Sequence, residues 1–134
     1  MSPQAPARPI FVNAADVPTE QVRTNPALTK LSLLSNFAGG YLVGVSVAFH
    51  PAGEGCDLHN HRGAVEVFVV VDGEGVIEVD GVKQEVAPYD TVLVPVGAMH
   101  KLTGTSVDAP FTVMCGFVVA PGHENDTQPW RPTE

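Results

Sequence analysis

The chain is expected to fold as an all-β domain in which many short strands close into a sandwich or barrel. Three observations predict this. Twelve prolines and thirteen glycines punctuate the 134 residues. Valine, a β-branched strand former, is the dominant apolar residue. The apolar segments are short and separated by turn residues, with no long helical period and no internal repeat. Closing such sheets also removes exposed edges that would otherwise pair with other molecules.

Along the chain, residues 1–8 read as a flexible lead-in. Ile10–Val12 is expected as a short strand, with a turn or brief helix after Asn13. Leu31–Leu34 is the next strand. In Tyr41–Phe49 the side chains of Val43, Val45, Val47 and Phe49 fall on one face, and Gly44, Ser46 and Ala48 on the other. Val65–Val71 is almost continuously apolar, as expected of a strand covered on both faces. "DGEG" at 72–75 turns the chain into Val76–Val79, and "DG" at 80–81 signals a hairpin returning through Val82–Val86. Thr91–Val94, Met99–Thr103 and Phe111–Val119 complete the strands. The expected organisation is an N-terminal arm with short strands (1–39), a barrel (40–120) and a polar, proline-rich surface tail (121–134).

Composition narrows the function. Hydrophobic residues make up 44% and charged residues 16%, as in a globular domain. The formal net charge is −8, which repels a phosphate backbone or an anionic membrane, so neither nucleic acid nor membrane is an expected partner. No apolar run approaches the roughly 20 residues of a membrane-spanning helix. "MSPQAPARPIFV" has no signal-peptide core, making the cytoplasm the expected compartment. Cys56 and Cys115 are too few for a disulfide framework and are expected as free thiols, Cys115 as a small core residue.

The chemistry concentrates in "GEGCDLHNHRGAVEVFVVVDG", Gly53 to Gly73. His59 and His61 are two apart and present both imidazoles to one side of a strand. Glu66 lies five positions beyond His61, the wrong parity for an unbroken strand. A bulge or turn at "RGA" is therefore expected, with Gly63 supplying the unusual backbone. His100 follows the "PVG" turn at 95–97. Three imidazoles and a carboxylate aimed into a barrel interior suit one divalent transition metal: Fe(II) first, with Mn, Ni, Co, Zn or Cu as other candidates. On an octahedral ion this set leaves two positions open; a four-coordinate zinc would be closed by it.

These residues resemble the cupin superfamily, in particular its small single-domain metal-dependent members. Gly53, His59, His61, Glu66 and Gly73 match every fixed position of the first motif, G-x5-H-x-H-x4-E-x6-G. Pro95, Gly97 and His100 match the second, G-x5-P-x-G-x2-H-x3-N, where Tyr89 replaces the glycine and Gly104 the asparagine. The resemblance implies a double-stranded β-helix, or jelly-roll, barrel that is often dimeric, so a homodimer is expected. It implies His59, His61, Glu66 and His100 as metal ligands.

Cupins run dioxygenation, decarboxylation, isomerisation, epimerisation and lyase reactions, and some only bind ligands. The leading expectation is an Fe(II) dioxygenase using O₂ on a small organic substrate, with Glu66 either staying bound or leaving to act as general base. The alternatives are an O₂-independent Lewis-acid isomerase, lyase or decarboxylase, and a non-catalytic ligand-binding barrel. Phe49, Arg62, Phe68, Met99 and Phe117 are candidates for the substrate pocket, with Tyr89 and Lys101 behind them. His50 is expected in a surface or capping role, His123 in solvent, and Cys56 as an ordinary thiol at the barrel mouth.

Overall fold

The computed structural model describes residues 9–123 and 126–128; the lead-in and the rest of the tail lie outside them. One 3-10 turn (Ala14–Asp16), capped by the Asn13 side chain, precedes eleven strands. They are β1 (Glu20–Val22), β2 (Asn25–Ala38), β3 (Tyr41–His50), β4 (Asn60–Arg62), β5 (Ala64–Asp72), β6 (Gly75–Val79), β7 (Val82–Val86), β8 (Thr91–Val94), β9 (His100–Gly104), β10 (Phe111–Val119) and β11 (Asp126–Gln128). Six of them form one antiparallel sheet in the order β1-β2-β3-β10-β5-β8. A smaller sheet runs β7-β6-β9, and β11 pairs with β4. Among the described residues no helix is long and apolar enough to cross a membrane.

Turn chemistry sets the register. Asp80 and Gly81 both take positive φ, 48° and 83°, the signature of the tight hairpin joining β6 to β7. Gly63, at φ 98°, separates β4 from β5 and supplies the break expected at "RGA". Beyond it, β5 alternates strictly. Ala64, Glu66, Phe68 and Val70 point inward, whereas Val65 and Val71 are exposed. This corrects the expectation of a strand covered on both faces.

Three further expectations change. Ile10–Val12 forms no strand, because its residues are exposed and no strand pairs with them. Leu31–Leu34 is the middle of the much longer β2, whose serines and lysine disguised it: its inner face meets a cavity, so it need not be apolar. In the tail, Asp126–Gln128 pairs with Asn60–Arg62.

The core lies between the two main sheets. Phe68 and Val70 from β5, Ile77 from β6, Val86 from β7, Leu102 from β9, and Phe111 and Val113 from β10 pack into one buried cluster. Each such side chain is worth about 1.5–3 kcal/mol when withdrawn from water. The outer face of the large sheet is also apolar. Cross-strand register aligns Val43 and Val47 of β3 with Val118 and Met114 of β10, and these with Val65 and Val69 of β5. No Asp, Glu, Lys or Arg occupies those outward positions.

One motif departure is strained. Tyr89 sits at φ 74°, in the left-handed region that disfavours a bulky side chain. Its ring is 81% exposed, while its backbone N–H donates to the Val70 carbonyl at 2.7 Å. Tyr89→Gly should keep that bond and relieve the strain, a gain of about 0.5–1 kcal/mol after the larger entropy of an unfolded glycine is counted. A melting temperature at or below that of the parent chain would refute this reading.

Candidate metal centre

Two strands hand their inward side chains from core to site. Along β5 the sequence of inward groups runs Val70, Phe68, Glu66, and along β9 it runs Leu102 to His100. His59 and His100 are joined backbone to backbone: His59 N–H donates to the His100 carbonyl at 3.0 Å, and His100 N–H returns the bond at 2.8 Å. The Gly97 N–H donates to the His61 carbonyl at 3.0 Å, tying the "PVG" turn to the first motif. Segments some forty residues apart in sequence thus become adjacent through a few short bonds.

The same local device orients two of the rings. The Nδ1–H of His59 donates to the carbonyl of Asp57 at 2.8 Å, and that of His100 to the carbonyl of Ala98 at 2.9 Å. Each carbonyl lies two residues before its histidine. In the neutral form of each ring, a protonated Nδ1 leaves the lone pair on Nε2, the form a metal requires. The His59, His61 and His100 ligand atoms lie within 4.8 Å of one another and could hold a metal ion.

Glu66 completes the cluster. Its Oε1 is 3.0 Å from His100 Nε2 and 3.1 Å from His61 Nε2. Burial alone would push this carboxyl up; the His100 and His61 side chains outweigh it and hold the pKa at about 2. Burial pulls His59 down to about 4, with repulsion from His100 and His61 adding to it. At neutral pH the site therefore presents a carboxylate and a neutral His59 imidazole, the protonation states of metal ligands.

The donor chemistry fits a cation. Glu66 Oε1 and His100 Nε2 are buried and make no hydrogen bond. With Nδ1 of His100 committed to the Ala98 carbonyl, a neutral ring would set a second acceptor against Glu66 Oε1 at 3.0 Å, so a positive charge between the two atoms, proton or metal ion, relieves the arrangement. The buried Nδ1 of His61 also has no hydrogen-bond partner, and a cation at its Nε2 would not supply one.

A cavity of about 400 Å³ opens from this cluster, lined by His59, His61, Glu66 and side chains of β2, β3 and β10. Phe68 and Phe117 line it; Phe49, Arg62 and Met99 do not, nor do Tyr89 and Lys101. Phe49 is out of phase: its neighbour His50 takes the inward position, paired with Phe111. Arg62 is exposed on β4. Met99 precedes inward-facing His100, and its backbone N–H bonds to the Asp80 carboxylate at 3.1 Å.

His50 corrects a second expectation. It is only 3% exposed, lines the cavity, and its Nδ1–H donates to the Phe111 carbonyl at 2.8 Å. Sequence reasoning also missed Lys30, Ser32, Ser35 and Ser46 on the cavity wall. The available signal was phase, since His50 continues the Gly44, Ser46, Ala48 face. His123 is exposed, as expected. Cys56 lines the cavity as a protonated thiol, its pKa raised by burial, and accepts a hydrogen bond from Leu102 N–H at 3.3 Å. Burial raises Cys115 likewise; it packs against the core and also touches the cavity.

Comparison with known proteins places this geometry. An uncharacterized protein of Methanocaldococcus jannaschii is 26% identical over 115 residues, covering 81% of this chain and 91% of the relative. The crystal structure of a predicted oxalate decarboxylase from Thermotoga maritima superposes with a TM-score of 0.73 at 19% identity, covering 82% of this chain and 99% of that one. The polyketide cyclase RemF of Streptomyces resistomycificus superposes with a TM-score of 0.66 at 18% identity, covering 92% and 87%. These likenesses show a shared jelly-roll barrel. The cupin-domain family model matches residues 45–117, more than half of the chain and the span that carries both histidine motifs, so the chain belongs to the cupin family.

Proposed function

We propose that the protein is a metal-dependent enzyme acting on a small organic substrate, with one divalent transition metal held by His59, His61, His100 and Glu66. The observation that carries this reading is the cluster of three imidazoles whose ligand atoms lie within 4.8 Å of one another, with buried Glu66 Oε1 3.0 Å from His100 Nε2, beside the cavity. A metal bound there would supply Lewis-acid chemistry or, as Fe(II), redox chemistry with O₂, and the leading version is an Fe(II) dioxygenase. The chain's own residues do the rest. The Asp57 and Ala98 carbonyls hold two rings in register, Phe68 and Phe117 keep water from the wall, and the cavity volume limits the substrate to a small molecule. We assign Glu66 as a ligand, because its Oε1 is turned toward both imidazoles.

An O₂-independent isomerase, lyase or decarboxylase is the second reading, favoured by the decarboxylase and cyclase descriptions of proteins sharing this fold. Metal analysis of protein purified without added metal, followed by O₂ uptake with candidate enols and catechols, separates the two. Uptake abolished by His59→Ala supports the dioxygenase. Turnover that persists under strict anaerobiosis sinks it in favour of Lewis-acid chemistry, and metal without turnover of any substrate leaves a binding barrel.

We also infer a homodimer through the outer face of the large sheet. That face combines exposed Val65, Met114 and Val118 with an absence of charge, so two copies each carrying −8 can meet there without opposed carboxylates. Light scattering should give twice the 14.1 kDa chain mass, and Val118→Lys should halve it; a monomeric parent chain would refute the inference.

A further inference from the structure

The β2 and β3 wall of the mostly apolar cavity carries one cation, Lys30, and three serines, Ser32, Ser35 and Ser46. Lys30 of β2 is the only Lys or Arg among the described residues lining the cavity. It faces inward: it shares its side of β2 with Leu28, which is buried, and its register partner is Ala48, in phase with inward His50. A lysine that only solubilised the barrel would sit on the outer face.

Nothing among the described residues neutralises that ammonium. Glu20, its cross-strand neighbour on β1, makes no ion pair with it, and neither does Asp57, which lines the same cavity. This is notable in a chain with fifteen acidic and seven basic residues, where carboxylates are plentiful. Around Lys30 stand hydroxyls. Ser32 and Ser46 are register partners across β2 and β3, and Ser35 lies further along the same strand. Small Ala48 opposite Lys30 leaves space beside the ammonium.

His50 adds an oriented acceptor. Its Nδ1–H is committed to the Phe111 carbonyl, so Nε2 carries a lone pair. Burial lowers its pKa, keeping the ring neutral at pH 7.

We propose that this wall is a carboxylate-binding subsite: Lys30, with the Ser32 and Ser46 hydroxyls, takes the anionic group of a small hydroxy-acid, and His50 accepts a hydrogen bond from its hydroxyl. The placement of the acid's other end toward His59, His61 and Glu66 rests on the metal-enzyme reading; the anion subsite does not. A cation with hydroxyl donors recognises a carboxylate by charge-assisted hydrogen bonds. A neutral amide of the same shape satisfies the hydroxyls and leaves the charge unmet.

Titration calorimetry of the full chain loaded with Zn(II), which is redox-inert, provides the test. The probes are glycolate, lactate and 3-hydroxybutyrate, each against its neutral amide. The wild type should bind each acid at least about tenfold more tightly than its amide. Lys30→Met should shrink that ratio at least about tenfold with zinc stoichiometry unchanged, and Lys30→Arg should restore much of it. Lys30→Gln provides the same test if the methionine variant folds poorly. An undiminished acid preference in Lys30→Met or Lys30→Gln, or none in the wild type, overturns the subsite. If the parent chain takes up no zinc yet prefers acids in a Lys30-dependent way, the subsite stands and the metal reading falls.

Discussion

His100→Ala is expected to abolish metal-dependent stabilisation. His100 is fully buried, its Nε2 lies 3.0 Å from Glu66 Oε1, and its backbone is bonded to that of His59. Removing the ring takes away one ligand and leaves Glu66 Oε1 with only His61 at contact distance. At metal a thousandfold above its dissociation constant, binding to the folded state alone stabilises it by about 4 kcal/mol, which should raise the melting temperature of the parent chain by more than about 10 °C. The variant should show almost none of this rise. Glu66→Gln keeps the shape but not the charge, and should retain a weakened response. His123→Ala, in the exposed tail, is the control. Stoichiometric metal in purified His100→Ala would show that the ligands have been misassigned.

Gly104→Asn is expected to destabilise the fold severely, although it restores the residue of the family's second motif. A Cβ at position 104 would lie 2.7 Å from the His50 carbonyl oxygen and 2.8 Å from that of Pro51. Both are backbone atoms, so no rotamer change relieves the clash. The Gly104 N–H also donates to the Glu54 carbonyl at 2.9 Å, and its own carbonyl accepts from Gly53 N–H at 2.8 Å. The chain crossing here is therefore held close from both sides. Overpacking of this kind costs about 2–4 kcal/mol, or about 10 °C in melting temperature. A variant melting within about 2 °C of the parent would show that the loop yields freely. Tyr89→Gly restores the other departed position and is expected to stabilise. At Tyr89 the substitution relieves backbone strain; at Gly104 it inserts atoms where backbone already stands.

Much of the site was legible because metal ligation leaves spaced, rigid signals. His59 and His61 had to share a side, and the parity failure before Glu66 required the break that Gly63 makes. The hairpin at Asp80–Gly81 was equally plain, since few dipeptides tolerate two positive φ values. The cavity was harder to read. Phe49 looked like a lining residue because aromatic side chains usually seek the interior, yet β3 keeps Val43, Val47 and Phe49 off the cavity and turns Ser46, Ala48 and His50 into it. Alternation reveals two faces but not which is inside, and an apolar face covered by another molecule looks the same as one facing a core. Lys30 was invisible for the same reason: a lysine in a strand is ordinarily a solvent residue.

The sequence by itself determined the barrel class, the strand-and-turn rhythm and the histidine–glutamate constellation, because these depend on local stereochemistry and on residue types that have few substitutes. Only the tertiary structure decided that His50 is interior, that β2 walls the cavity with an ammonium unpaired among the described residues, and that Gly104 has no room for a side chain. Those facts depend on which distant strands meet, and closeness between strands far apart in sequence is a property of the assembled barrel rather than of any segment within it.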